Sequence, residues 1–434
     1  METSDPQHEP DGLRLPLVGR DELLARIHQH ALDMASPHAL AVIGPPGSGK
    51  TSLLRALAAE DEDIIGVYIS LRDAATNTET NWLRTLIEAT NTALLNRDYS
   101  QNRLDAMEST LENPLAPALR PWINSDYLSG VTRLIRSHRR ILWLLDDLEA
   151  LLASMEVDHL PDDTLLYLHG LMLNHMQLGI VVTADLDAEG RLLSLAPFVP
   201  VEAIHRLHLL DPEATRSLLR SARPSLSDED AAHIHAATGG HPQWLTLCAQ
   251  TLNGQPQATV ETIKQAVYPQ VTADCEALWQ RLSTHEQIIL QAIVNLHYSD
   301  PLKAITPTML EQWLIDSDTP LDATDIAAAL RGLDYREIIG PDRQNLRLRS
   351  GFFERWCLTQ LRRGQRVEQR RTTAATTPTP AAADSTPPMR RLSILLIVLI
   401  VIIVLGIIFA TAGGGLNQAA PTAQPTVTLN ADSS

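Results

Sequence analysis

Cysteine is scarce in this chain: Cys248, Cys275 and Cys357 are the only three in 434 residues, and no two form a CxxC pair. That spacing excludes a disulfide framework and offers no zinc pattern, so the three are expected as small buried apolar residues. Positive charge is short as well. Lys and Arg number 35 against 52 Asp and Glu, a net charge of −17, which weighs against a broad phosphate-binding surface for DNA or RNA. Lysine occurs at positions 50, 264 and 303 alone. Met1 to Asp11 is polar and acidic and lacks the basic-then-apolar run of a signal peptide, so the body of the chain is expected to stay in the cytoplasm. His205, His208, His233 and His235 lie at spacings without carboxylates or thiolates in register, which reads as surface or packing histidine rather than a metal site.

One of the three lysines stands in the stretch that organises the rest. From His38 the chain reads as a short apolar strand, then Gly44-Pro45-Pro46-Gly47-Ser48-Gly49-Lys50-Thr51, then a helix opening with Ser52. Strand, glycine loop and helix in that order make GxxxxGK[ST] a P-loop. Gly44, Gly47 and Gly49 let backbone N–H groups turn inward without a Cβ in the way of phosphate oxygens. The helix start adds partial positive charge at the same spot. Lys50 then reaches the β- and γ-phosphates, and the Thr51 hydroxyl ligates Mg²⁺. The expected cofactors are ATP and Mg²⁺.

Downstream, Ile64 to Ser70 has the length and β-branched content of a buried strand, and helical spacing follows over 80–95 and 127–138. Arg140-Ile141-Leu142-Trp143-Leu144-Leu145 runs into Asp146-Asp147. An apolar strand ending in paired carboxylates is the second half of an NTP site, with Asp146 on the metal and Asp147 orienting the attacking water. Another reading has the two carboxylates capping the helix that begins near Leu148. Leu178 to Thr183 is a further strand ending in a hydroxyl, and Asp211-Pro212 opens a helix as N-cap and first-turn residue.

These motifs resemble those of the STAND and Orc/Cdc6-like branches of the AAA+ ATPases, from Leu17 to about residue 250. Val18-Gly19-Arg20 matches the opening turn that in those families lies beside the adenine. Thr183 takes the position of sensor 1, which reads the γ-phosphate through the attacking water. Gly240-His241-Pro242 matches the Gly-x-Pro of the lid, and Pro242 would contact the nucleotide. Glu149 is a second candidate for the base, since many relatives carry Asp-Glu at the strand end. The chain departs from the STAND pattern where an Arg is expected two residues after Thr183. It reads Thr183-Ala184-Asp185, and Arg191, which comes later, reads either as a substitute or as a solvated surface residue.

Beyond residue 273, helices are suggested over 283–296, 307–315 and 323–333. Arg336–Ile339 and Asn345–Arg349, joined by Gly340-Pro341-Asp342, then read as a two-stranded wing, and a helix follows over 352–361. This resembles the winged helix-turn-helix that follows the lid in those ATPases. Arg331, Arg336, Arg343, Arg347 and Arg349 give it either a DNA-facing footprint or partners for the acidic surplus of the protein itself. Thr372 to Met389 is Thr, Ala and Pro, a linker. Leu392–Ala410 is nineteen uncharged, mostly aliphatic residues, long enough at 1.5 Å per residue for a hydrocarbon core of about 30 Å. Arg362, Arg363, Arg366, Arg370, Arg371, Arg390 and Arg391 precede it and no basic residue follows, so the positive-inside rule leaves the ATPase cytoplasmic and the C-terminus outside.

The sequence therefore predicts an α/β P-loop NTPase with a parallel sheet over 16–205, a helical lid over 206–272 and a winged-helix domain over 273–365. A loose N-terminus (1–15), a basic Pro/Thr linker (366–391), a single transmembrane helix (392–411) and an extracytoplasmic tail (412–434) complete it. The expected function is a membrane-anchored switch that binds ATP or ADP, hydrolyses ATP and couples that to homo-oligomerisation or a protein partner. A membrane-tethered DNA-binding regulator and a non-hydrolysing scaffold are the alternatives.

Overall fold

The computed structural model describes residues 15–33, 37–59, 63–74, 77–108, 116–135, 139–317, 319 and 321–362, all within one unit, Met1–Val367. The expected linker, membrane span and tail, and the N-terminus to residue 14, lie outside the described residues. Among those described, no helix is long and apolar enough to cross a membrane.

Five parallel strands form the centre: β1 (Leu40–Ile43), β2 (Ile64–Ser70), β3 (Arg140–Asp146), β4 (Leu178–Ala184) and β5 (Ile204–Arg206), in the order β2-β3-β4-β1-β5. Helices cover both faces, which is why β1 and β3 are buried at every residue and read as unbroken apolar runs rather than alternations. The two faces still separate by parity. Trp143 and Leu145 pack with Trp82 and Tyr127 on one side, whereas Leu142 and Leu144 pack with Ile27, Leu53 and Leu54 on the other. Register sets Val42 opposite Thr183 and Leu145 opposite Val182. β4 thus lies between the P-loop strand and the carboxylate strand, and all three open at the same edge, where ligands of parallel sheets bind.

Helix α1 (Asp21–Leu32) precedes the sheet and α2 (Lys50–Ala58) leaves the P-loop. Next come α3 (Glu79–Leu95), α4 (Gln101–Glu108), α5 (Ala116–Trp122) and α6 (Leu128–Leu134). Then α7 (Leu148–Glu156) and α8 (Thr164–Asn174) join β3 to β4, and α9 (Glu189–Leu192) follows β4. The helix expected over 127–138 is present as α6, Leu128–Leu134, and is entered through a π-turn, Ile123–Tyr127. Pro121 inside α5 withdraws a backbone donor, and the helical ladder widens directly after it.

The C-terminal half is helical: α10 (Pro212–Ala222), α11 (Asp228–Thr238), α12 (Pro242–Gly254), α13 (Val260–Gln280), α14 (Thr284–Ser299), α15 (Pro307–Asp316), α16 (Ala323–Tyr335) and α17 over 351–362. Asp211 caps α10 through Ala214 N at 2.7 Å, with Pro212 in the first turn, and Ser283 with Glu286 forms a capping box on α14. One apolar cluster runs from Leu210 to Cys357. α13 crosses residue 272, where a lid and a following domain would be divided. The expected wing is reduced to one antiparallel bridge, Ile339 with Leu348. Glu337 adopts a left-handed φ of +57°, which takes it out of strand register, and Pro341 has no N–H to extend a ladder. All three cysteines are buried and free, and burial pushes their thiols up, Cys248 and Cys275 to about 12.

Candidate nucleotide site

The P-loop leaves β1 with Gly44 N donating to Ala184 O at 3.1 Å, which ties the loop to the end of β4. Gly47 and Gly49 take φ of +70° and +95°, conformations that glycine adopts without penalty. Gly49 is also the N-cap of α2 and supplies no side-chain cap, so the first N–H groups of that helix remain open donors. Lys50 is 8% exposed; its Nζ donates to Gly44 O at 2.7 Å, Pro45 O at 3.2 Å and Asp185 Oδ1 at 2.9 Å. Ser48 is buried, with no partner for its Oγ among the described residues. Ser52 is exposed on α2. Arg20 donates to Ser48 O at 3.1 Å, so the Val18-Gly19-Arg20 turn reaches the loop. Gly19 stands at φ +64°, where a Cβ would come within 2.8 Å of Ala214.

Across the loop, Asp146 is 2% exposed and accepts from Thr51 at 2.7 Å, Tyr68 OH at 3.0 Å and Thr183 at 2.5 Å. Burial, then the carboxylate of Asp146, pushes the Tyr68 phenol up to about 12, which keeps it a donor. Thr183 Oγ1 in turn accepts from Asp147 N at 3.0 Å. The sequence-derived metal pair, Thr51 and Asp146, is therefore assembled, with Thr183 against it. Among the described residues no cluster of three His, Cys, Asp or Glu could hold a metal. A Thr–Asp pair of this kind suits Mg²⁺, which takes the rest of its shell from water and phosphate.

Asp147 stands at φ +64°, ψ +61° at the N-cap of α7, and its side chain caps nothing. It turns outward, 23% exposed, to Arg72 at 2.9 Å. Burial, then the neighbouring Asp146, raises its carboxyl above the usual aspartate value. Burial raises Glu149 too, but Glu149 is committed to accepting from Asp185 N.

The start of α12 lies directly on the P-loop. Gln243 N donates to Gly47 O at 3.2 Å, and His241 Nε2 meets Pro46 O at 3.0 Å, with Pro242 between them. Burial pushes the His241 imidazole down to about 4, so it is neutral and donates that bond; it stacks on Trp244 at 4.3 Å. A Cβ on Gly47 would stand 2.3 Å from Gln243 Oε1, so the glycine serves the approach of α12 as well as the turn.

The loop after β4 was missed in the sequence. Asp185-Leu186-Asp187-Ala188-Glu189 carries three carboxylates at alternate positions, and each is taken by the C-terminal half: Asp185 by Arg281 at 2.8 Å, Asp187 by Arg336, and Glu189 by the Tyr335 hydroxyl. Glu337, next in line, accepts from His208 Nδ1 at 2.7 Å and Leu209 N at 2.8 Å. The alternating acids directly after Thr183 were the available signal. Arg191 pairs with Glu156 at the surface. Of the five arginines with two readings, Arg336, Arg347 and Arg349 are turned inward, onto Asp187, Pro301 O and Ile339 O, whereas Arg331 and Arg343 are exposed.

A glycine loop around a buried lysine, beside a Thr–Asp pair at the open edge of a parallel sheet, defines a P-loop nucleotide-binding fold. Within it, residues 16–182 match the family described as AAA ATPase domain. Among solved structures, the Walker-type ATPase of Pyrococcus abyssi is similar over 79% of this chain and 96% of its own, with TM-score 0.50 and 14% identity. The ORC2 protein of Aeropyrum pernix, solved as ADPNP–ADP complexes, covers 82% and 97% with TM-score 0.48 and 16% identity. A STAND protein with a tetratricopeptide repeat sensor from Pyrococcus horikoshii covers 81% and 44%, with TM-score 0.35 and 16% identity. Of these three, the first bears on the fold. No curated protein matches the chain.

Proposed function

We propose that this protein is an ATP-binding and ATP-hydrolysing switch whose nucleotide state is passed to its C-terminal half. The observation that carries this reading is the 185–189 loop. One end of it bonds the P-loop lysine through Asp185, and the whole of it is gripped by Arg281, Tyr335 and Arg336. The open N–H groups of α2 and the Lys50 ammonium would bind the phosphates of ATP, and Thr51 with Asp146 would hold Mg²⁺, which neutralises charge developing on the transferred phosphoryl group. Asp147 faces outward from a fixed left-handed turn and is the group to orient the attacking water, with Thr183 fixing its backbone. Arg20 and Pro242 flank the loop and would meet the base of the nucleotide.

The C-terminal half is proposed as lid and winged helix, supported by the order α14–α15–α16 followed by the Ile339–Leu348 bridge. Arg336 pairs with Asp187 of the core, and Arg347 and Arg349 bond carbonyls within the C-terminal half, which favours internal packing over DNA binding. The uncharged run at 392–410, flanked by arginines on one side, supports a membrane anchor with the ATPase cytoplasmic and the output a self-assembly or a recruited protein. The test is a pair of variants. Lys50→Ala is expected to abolish ATP binding, while Asp147→Asn retains binding and loses turnover; hydrolysis unchanged in both refutes the assignment.

A further inference from the structure

Lys50 and Arg281 meet at a single carboxylate. Asp185 accepts from Lys50 Nζ through Oδ1 at 2.9 Å and from Arg281 Nη1 through Oδ2 at 2.8 Å. The group is 20% exposed. Its burial alone would disfavour the charged form, but Lys50 and Arg281 together outweigh that and hold the carboxyl below the usual aspartate range. To the lysine of a P-loop, Asp185 presents what a terminal phosphate presents: anionic oxygens at hydrogen-bond distance.

Arg281 comes from elsewhere in the chain. It is the C-cap of α13 and the first of the three residues that link α13 to α14. Its side chain is 40% exposed on the wall of a cavity of about 130 Å³ that Pro45, Pro46, His241 and Gln243 also line. The lid contact itself brings no positive charge to the loop there, because His241 is neutral and Gln243 uncharged. Arg281 brings one, and it reaches the P-loop lysine through Asp185.

We propose that Asp185 is an internal stand-in for the terminal phosphate. It pairs with Lys50 and Arg281 when the loop holds no triphosphate, and Arg281 passes from Asp185 to the γ-phosphate when ATP is bound. This deepens the nucleotide reading above and rests on it. Arg281 is then the residue by which the C-terminal half tells ATP from ADP, and its transfer shifts the α13–α14 link. Asp185 is a competitor that the terminal phosphate of ATP must displace from Lys50, and it lowers the affinity for ATP.

The experiment is calorimetric titration of the full-length chain, in detergent and with Mg²⁺, against ADP and a non-hydrolysable ATP analogue. Wild type is compared with Arg281→Ala, Arg281→Lys and Asp185→Asn. Arg281→Ala is expected to lose about tenfold or more in affinity for the analogue, the scale of one charge-assisted bond to phosphate, with ADP affinity changed less than about twofold; Arg281→Lys recovers part of the loss. Asp185→Asn is expected to bind the analogue several-fold more tightly, with ADP affinity changed less. Equal losses for ADP and the analogue in Arg281→Ala, no loss in either, or weakened binding in Asp185→Asn each overturn the proposal. A wild-type chain that binds neither nucleotide overturns the underlying reading instead, and that outcome is visible before any variant is compared.

Discussion

Asp146 and Asp147 are consecutive carboxylates with different surroundings, and the strand end explains why. Asp146 still belongs to β3 and is walled in by Thr51, Tyr68 and Thr183. Asp147 has turned into the left-handed region and faces Arg72, so in the proposed function the first would hold a metal and the second would orient water. Asp185 supports a pH prediction. Its folded pKa is depressed, so the stability it contributes is present above the unfolded aspartate value of about 3.9 and is lost as pH falls through the lower folded value. Denaturant unfolding of wild type against Asp185→Asn should show a gap in favour of wild type near neutral pH that closes only in strong acid. At Gly47 the prediction is steric. Gly47→Ala places a Cβ at φ +70° and 2.3 Å from Gln243 Oε1, costing about 1 kcal/mol or more from backbone strain alone and lifting α12 off the loop. Thermal unfolding measures the first effect, and protease sensitivity near residue 241 measures the second.

At the scale of elements, the β4–α9 loop and the end of α16 form one joint. Tyr335, Arg336 and Glu337 each take a different part of the sheet-bearing half and the segment after it: Glu189, Asp187, and His208 with Leu209 N. The Tyr335 ring also lies under Arg206, 4.2 Å from its guanidinium carbon. Glu337 is 8% exposed and left-handed. Glu337→Ala should therefore cost about 1–3 kcal/mol, the scale for leaving a buried donor unpaired, read by denaturant unfolding of the full chain. Much of the frame was legible beforehand. β2 was expected at its observed bounds, Asp211 as a cap was expected, and the P-loop, Asp146 and Thr183 do converge. Such features are local, set by strand composition, cap chemistry and glycine spacing. The partners of Asp185 were not legible, because Arg281 lies 96 residues away and nothing in its neighbourhood marks it. The π-turn at 123–127 and the shortened wing were missed for a related reason: a proline and a left-handed glutamate act there on hydrogen-bond ladders whose partners the sequence does not name.

On the scale of the whole molecule, the acidic balance has a partial structural account. Carboxylates of the parallel-sheet half face arginines of the C-terminal half, Asp185 to Arg281 and Asp187 to Arg336, so charge of opposite sign helps to hold the two halves together. Helices α10 to α17 share one apolar cluster from Leu210 to Cys357 and are expected to move as a body on the joint at 185–189. Hydrogen exchange on the full-length Asp147→Asn chain in detergent, with Mg·ATP and then with Mg·ADP, tests that coupling most directly. ATP, and not ADP, is expected to change protection both at Asp185–Glu189 and at Tyr335–Glu337. ATP that protects Gly44–Thr51 while leaving Tyr335–Glu337 as in ADP would contradict it, since nucleotide would then be bound without being read by the C-terminal half.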